Sequence, residues 1–369
     1  MKQNKKRNII IWSTDIPKLL DGDPIGGITV QLFFWAQVFA KNGWQVYSFA
    51  ENAKETVIRE GIVFLPNKNI KRVNFLMEWW RSLLYHLTIH PQVIIYRGAN
   101  RQLLPLALFS KLFDTKLVYF AASDVNFEPG KELVGSEFNR KLYQRSIRHI
   151  RYFVTQNEHQ HDTLLQNYGK DSLTMYNIWG EVSTDEQEDP PQSDAVWVAN
   201  FRRLKRAEWV MDAAESLPIY QFVLAGGKSG DGDYYEQMKG RIGGMKNVSF
   251  LGGRSFFYAN KLVSRSRTLL CTSIFEGFPN TFLQAWSAGI PVISTVDPSG
   301  IITANGLGIV VHTEEELVAA LVKVLGDEKY YQILSLSVKA FFEKNHASQA
   351  GYEKVVSYVD INPNHEVKS

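Results

Sequence analysis

TLLCTSIFEGFPNTFLQAWSAGIPVIS, residues 268–294, is the stretch on which the fold turns. Thr268–Ser273 is an apolar run of strand length. Gly277 and Pro279 interrupt it, and Pro279 stands where a helix starts. Asn280–Ala288 then has helical composition, Gly289 ends it, and Pro291–Ser294 is a second apolar run. A strand, a short helix and another strand in this order imply one unit of a parallel α/β sheet.

The alternation extends in both directions. Upstream, Ala195–Asn200, Gln221–Ala225 and Asn247–Leu251 are predicted strands and Glu208–Ser216 a helix. Downstream, Thr313-Glu314-Glu315-Glu316 fits a capping box opening a helix to about Leu325, and a further helix is expected over Ser348–Val359. The first half repeats the pattern. Asn8–Ser13, Gln45–Ala50, Gln92–Tyr96 and Lys116–Ala121 are predicted strands, and Thr29–Asn42 carries apolar residues at a helical period before Gly43. Residues 183–194 are acidic, contain two prolines and are nearly free of apolar residues, so the boundary between two domains is expected there. Two domains also suit 369 residues, more than one core usually supports.

Hydrophobic residues make up 45% and charged residues 21% of the chain, ordinary for a globular protein. No apolar run approaches the roughly 20 residues of a membrane-spanning helix. The basic stretch Met1–Arg7 is followed by only a short apolar segment, Ile9–Trp12, too short for the core of a secretory signal, so the protein is expected in the cytoplasm. The single cysteine, Cys271, cannot form an intramolecular disulfide and is expected to be a buried thiol. Charge is uneven: residues 1–180 carry 23 Lys+Arg against 15 Asp+Glu, whereas residues 181–369 carry 18 against 23. A basic first half suits an anionic partner such as a membrane surface or a phosphate-bearing acceptor; a solvated basic surface accounts for it equally.

Three stretches carry chemistry. Ligands bind at the carboxyl edge of open α/β sheets, where Thr268–Ser273 ends. The first N–H groups of the following helix, around Asn280, Thr281 and Phe282, form an anion site suited to a phosphate. Glu276 beside an anion is better placed for neutral sugar hydroxyls, and the Gln284 amide can both donate and accept. An acid complementing the helix dipole and a surface glutamine are the plainer alternative. In Trp197-Val-Ala-Asn-Phe-Arg-Arg-Leu-Lys-Arg206, the cations Arg202, Arg203, Lys205 and Arg206 follow a strand end and suit a departing diphosphate, or form a solvated loop. Third, Gly26 and Gly27 allow a close backbone approach to a ligand. No G-x-G-x-x-G follows the first strand, which argues against a dinucleotide-dependent hydride transfer.

Glu276–Ile293 resembles the E-x7-E signature of the family 4 retaining glycosyltransferases. That resemblance implies a GT-B fold, α/β, with two doubly wound parallel-sheet (Rossmann-like) domains facing across a cleft. It implies that Glu276 binds the donor sugar, that the turn Gly277, Phe278, Pro279, Asn280 and Thr281 holds the diphosphate, and that Gln284 meets the ribose. The family has Glu where this chain has Gln284, which removes charge-assisted strength from that contact. Lys205 aligns with the family's lysine. The family's arginine falls on Asn200, leaving Arg202 or Arg203 to substitute, and Arg202 is taken with Glu276 and Lys205 as catalytic. Gly26 and Gly27 resemble the family's glycine-rich loop and are expected to bind donor.

Asp124 and Arg97, each past a predicted strand, are candidate acceptor contacts; helix capping explains Asp124 equally well. Lys71–Tyr85 is basic, aromatic and helix-compatible, as either a core helix or a membrane-surface one. Asp21-Gly-Asp23 and Asp231-Gly-Asp233 imitate a metal-binding triplet, and His159 and His161 lack further ligands, so no metal and no cofactor are expected. Residues 1–182 are expected to bind acceptor, completed by a helix at about 346–360, and residues 183–345 to bind the nucleotide sugar. The expected function is retaining transfer of a sugar from a nucleotide diphosphate to a hydroxyl of a glycan or lipid-linked acceptor, in cell-surface polysaccharide assembly, with peripheral contact at the inner membrane face and no nucleic acid. A nucleotide-sugar epimerase and a non-catalytic sugar-nucleotide-binding scaffold are the rivals.

Overall fold

The computed structural model describes residues 7–23, 25–67, 75–182, 188–230, 232–276 and 278–360. The chain divides into two compact units: Met1–Asp21, Ile25–Gly180 and Asn345–Ser369 form the first, and Gly22–Pro24 and Glu181–Lys344 the second.

Unit 1 is built on eight strands: β1 (Asn8–Ile11), β2 (Gln45–Glu51), β3 (Val57–Arg59), β4 (Ile62–Asn67), β5 (Val93–Arg97), β6 (Lys116–Phe120), β7 (Tyr152–Thr155) and β8 (Leu173–Thr174). Their order is β3-β4-β2-β1-β5-β6-β7-β8, and only the β3–β4 pair is antiparallel. Ile9, Ile10, Ile11, Val93, Ile94 and Ile95 are all fully buried, as central strands covered on both faces require. Helix Gly27–Lys41 buries Phe33, Phe34, Trp35, Val38 and Phe39. It stops because Gly43 turns left-handed, φ +80°, a conformation that costs glycine little. Helix Ser348–Tyr358 packs against this helix. Trp44 Nε1 donates to Tyr352 Oη at 3.0 Å, Phe39 meets the Tyr352 ring at 5.0 Å, and a short bridge joins Trp179 to Ala347.

Unit 2 is a six-stranded sheet of β9 (Ser193–Val198), β10 (Phe222–Ala225), β11 (Val248–Phe250), β12 (Ser266–Cys271), β13 (Val292–Ser294) and β14 (Gly308–Val310). The order is β11-β10-β9-β12-β13-β14, parallel throughout. Helix Asn280–Ser287 joins β12 to β13 and buries Phe282, Leu283, Ala285 and Trp286 completely. Strand β9 lies between β10 and β12, so the chain leaves it towards opposite sides of the sheet: this is the switch point, where open α/β sheets bind ligands. The loops there are tightly drawn, since a Cβ on Gly226 would sit 1.8 Å from the Ala199 carbonyl oxygen.

Strands β3, β4, β7, β8 and β14 have no counterpart in the sequence-based expectation. Of the stretch 71–85, helix Phe75–Ile89 forms, while residues 71–74 lie outside the described residues. Among the described residues no helix is long and apolar enough to cross a membrane.

Candidate active site

The loops after β9 and β12 meet at the switch point of unit 2. After β9 the chain makes a 3-10 turn, Arg203–Lys205, and Arg206 closes it in a left-handed conformation, φ +48°. That turn aims Lys205 back over the sheet edge, where its Nζ forms an ion pair with Glu276 Oε1. Both side chains are about one-fifth exposed, so the pair is screened only partly from solvent. Ser273 Oγ donates to the same Glu276 oxygen at 2.9 Å and orients the carboxylate.

Neighbouring groups hold the two loops to each other. The Thr272 hydroxyl accepts from Trp197 Nε1 at 3.1 Å and lies 2.6 Å from the Lys205 carbonyl, to which it donates. Ile274 N donates to the Leu204 carbonyl at 2.8 Å. Arg206 Nε donates to the Thr272 carbonyl at 2.7 Å, and its guanidinium lies 3.9 Å from the Trp209 ring centroid. Burial lowers the Arg206 pKa from its ordinary value, partly opposed by the charge of Glu208. Arg206 is therefore a strut between the loops. Cys271 is buried just before them, with its thiol pKa raised by burial.

Behind Glu276, helix Asn280–Ser287 begins after Pro279, with no side chain capping its N-terminus. The first N–H groups near Asn280 and Thr281 thus face the site without a capping side chain. Gly277, named with this turn, lies outside the described residues. The Phe278 ring packs at 6.3 Å on Phe282 and 6.0 Å on Trp286. Gln284 is not the surface residue of the plainer alternative: it is 5% exposed, and its Oε1 is buried without a hydrogen-bond partner.

The other sequence-derived residues make contacts of their own within each unit. Arg202 is exposed and donates from Nε to Ser229 Oγ at 3.0 Å, on the loop after β10. Asn200 Oδ1 accepts from Gly227 N at 3.2 Å. In unit 1, Gly26 caps helix Gly27–Lys41 with no side chain, and a Cβ there would meet nothing within 4 Å. Arg97 donates to Asn177 Oδ1 at 2.9 Å, and burial pulls its pKa down to about 10. Asp124 Oδ1 accepts from Asn157 Nδ2 at 3.1 Å and Gln160 Nε2 at 2.8 Å, while Ser123 and Asn126 form the capping box of its 3-10 turn. Sequence alone does not single out Ser273, Thr272 and Trp197; two short hydroxyl residues at a strand end just before an acid are the available signal. No group of three His, Cys, Asp or Glu residues able to hold a metal occurs among the described residues.

Two α/β units with these sheets define the GT-B fold of glycosyltransferases. Residues 192–327 match the family model described as glycosyl transferases group 1. Sucrose-phosphate synthase from Thermosynechococcus elongatus superposes with a TM-score of 0.67 at 14% identity, over 96% of this chain and 100% of that one. Anabaena HepE, in complex with UDP and glucose, gives 0.65 at 16% identity, over 95% and 99%. A putative UDP-N-acetylglucosamine 2-epimerase from Listeria monocytogenes gives 0.63 at 11% identity, over 96% of each. A search of curated proteins finds no match. Within unit 2, residues 192–327 thus match a glycosyltransferase group 1 model, and that match together with the fold supports a transferase.

Proposed function

We propose that the chain is a retaining glycosyltransferase of family 4 type, moving a sugar from a nucleotide diphosphate to a hydroxyl acceptor in surface-polysaccharide or lipid-linked glycan assembly. One observation carries the reading: Lys205 and Glu276, 71 residues apart, form an ion pair at the switch point, before a helix N-terminus that no side chain caps. In the donor complex the Lys205 ammonium moves to the diphosphate, joined there by the N–H groups near Asn280 and Thr281. Negative charge grows on those phosphate oxygens as the glycosidic bond breaks, so fixed donors lower the barrier most where charge develops. Glu276, held by Ser273, is left to accept hydrogen bonds from the sugar hydroxyls. Gln284 offers its unpartnered amide oxygen to the ribose hydroxyls.

The reading needs neither a metal nor a cofactor, because the chain's own cation and N–H groups meet the leaving charge. Unit 1, with Gly26 and Gly27 at a helix start that no side chain caps, is assigned the acceptor. The test is a panel of UDP-, GDP- and ADP-sugars with release of nucleoside diphosphate as the readout. Slow release that depends on Lys205 supports transfer. Conversion of the donor to its epimer without release assigns an epimerase, and binding without either reaction assigns a scaffold. Retention is read separately, from the anomeric proton couplings of the product.

A further inference from the structure

Helix Phe75–Ile89 of unit 1 carries apolar side chains on its outward face as well as among those it packs inward, such as Tyr85 on Phe49 at 4.7 Å. Its buried face carries Glu78, Ser82 and His86 beside Ile89, none more than 7% exposed. Glu78 is paired with Arg101 at 3.1 Å, and His86 contacts the Ser82 carbonyl at 2.6 Å and Ser110 Oγ at 3.3 Å. The opposite face carries Leu76, Trp80, Leu84 and Leu87, exposed by 78, 64, 41 and 50%. At about 100° per residue these four fall in one narrow stripe. A helix facing only water has its apolar stripe inward; a contiguous apolar stripe turned outward marks a contact surface.

Exposed apolar residues also occur at the end of a neighbouring helix. Helix Leu103–Leu112 packs between helix Phe75–Ile89 and helix Glu137–His149. His86 stacks on Phe113 at 5.5 Å, and Leu112 and Phe113 are 71 and 37% exposed. On the far side, Lys141, Gln144, Arg145, Arg148 and His149 line an open concavity of about 470 Å³. Arg140 of that helix is paired with Glu132 and Glu137, whereas Lys111, Lys141, Arg145, Arg148 and Lys170 have no ion pair among the described residues. Burial first, then the charges of Arg145, Lys111 and Lys170, lower the His149 pKa. Asp114 beside Phe113 and Asp171 beside Lys170 leave the cations in excess.

We propose that this face of unit 1 docks on a bilayer carrying anionic headgroups, with the Leu76–Leu87 stripe and Leu112 entering the headgroup–acyl boundary and Lys141, Arg145 and Arg148 meeting lipid phosphates. Tryptophan and leucine beside unpaired arginine and lysine match the two halves of such an interface. A second copy seated face to face would instead set cations against cations, which is unfavourable.

The test is flotation of the full chain with vesicles of phosphatidylcholine alone and with one-third phosphatidylglycerol. Binding is expected only to the anionic vesicles and is weakened by salt. Each surface cation contributes roughly fivefold, so Lys141→Gln/Arg145→Gln/Arg148→Gln lowers partitioning by about a hundredfold. Leu84→Gln/Leu87→Gln lowers it at least about tenfold, by removing buried apolar area. Circular dichroism confirms folding, and nucleoside diphosphate release from donor persists in both variants because neither touches the Lys205–Glu276 pair. Loss of that release with binding intact would count against the proposed reaction and not against the surface. Wild-type protein that stays off anionic vesicles, variants that float like wild type, or a dimer in light scattering that Leu84→Gln/Leu87→Gln dissolves would each overturn the docking proposal.

Discussion

Strand β1 of unit 1 and strand β9 of unit 2 hold the same place in their sheets, each between neighbours reached by crossovers on opposite sides. The loops at the two sheet edges differ. Past β9 and β12, Lys205 and Glu276 point at each other over the sheet edge, and the nearby polar groups of Thr272, Trp197 and Arg206 fix the backbone beneath. At the end of β5, next to β1, Arg97 is spent on Asn177, and the opening of helix Gly27–Lys41 is bare glycine. A switch point supplies the location of a site. Its chemistry depends on whether charged groups there face the ligand or are consumed by the fold.

Four measurements test this contrast, in decreasing order of effect. Lys205→Ala should lower kcat for nucleoside diphosphate release by about 10²- to 10³-fold, as expected for a donor aimed at developing charge; unchanged turnover would reduce unit 2's switch point to the status of unit 1's. The second concerns acid. His346, fully buried in unit 1 with Nδ1 2.7 Å from the Asn177 carbonyl, has its pKa lowered to about 4 by burial, against 6.5 when unfolded. Between these values the unfolded chain binds the proton and the folded one does not, so stability present above pH 6.5 is lost as pH falls towards 4, by about 3 kcal/mol. Urea unfolding of unit 1 followed across that range should show the slope, and His346→Asn should flatten it.

The third is Gln284→Glu. A carboxylate at this 5% exposed position lowers apo stability by about 1–3 kcal/mol, yet the thermal shift produced by the correct nucleotide sugar should grow, because a charge-assisted bond to the ribose replaces a neutral one. An equal or smaller shift would detach Gln284 from the donor. Last, Ser273→Ala removes one donor to Glu276 and should reduce kcat/KM by roughly fivefold, about 1 kcal/mol. Steady-state kinetics checks it.

The parallel α/β pattern was legible because β1, β5, β9 and β12 are short, largely apolar runs between helices, and a buried parallel strand needs little else. Strand β3, Val57–Arg59, was not: it is exposed, antiparallel and three residues long, and its partner β4 ends in Pro66 and Asn67. Strand β14, Gly308–Val310, pairs only with β13 and begins at a glycine. At the site, position at a strand end pointed to Glu276 and to the cations of residues 202–206 as a group, and the family resemblance pointed to Lys205 among them. Which of four cations in five residues would meet the acid was decided by the 3-10 turn and the left-handed Arg206, and Arg202 is carried towards Ser229 instead. The burial of Gln284 was hidden because a glutamine gives no apolar signal on a helix whose other inward residues do.

The helix Ser348–Tyr358 belongs to unit 1, although the whole of Glu181–Lys344 intervenes in the chain. Unit 2 is thus almost entirely encoded in one uninterrupted run, whereas Phe39 and Trp44 wait for Tyr352, more than three hundred residues later. On a translating ribosome Glu181–Lys344 is made before Ser348–Tyr358, so the earlier-encoded unit stays open along one helix until that segment emerges.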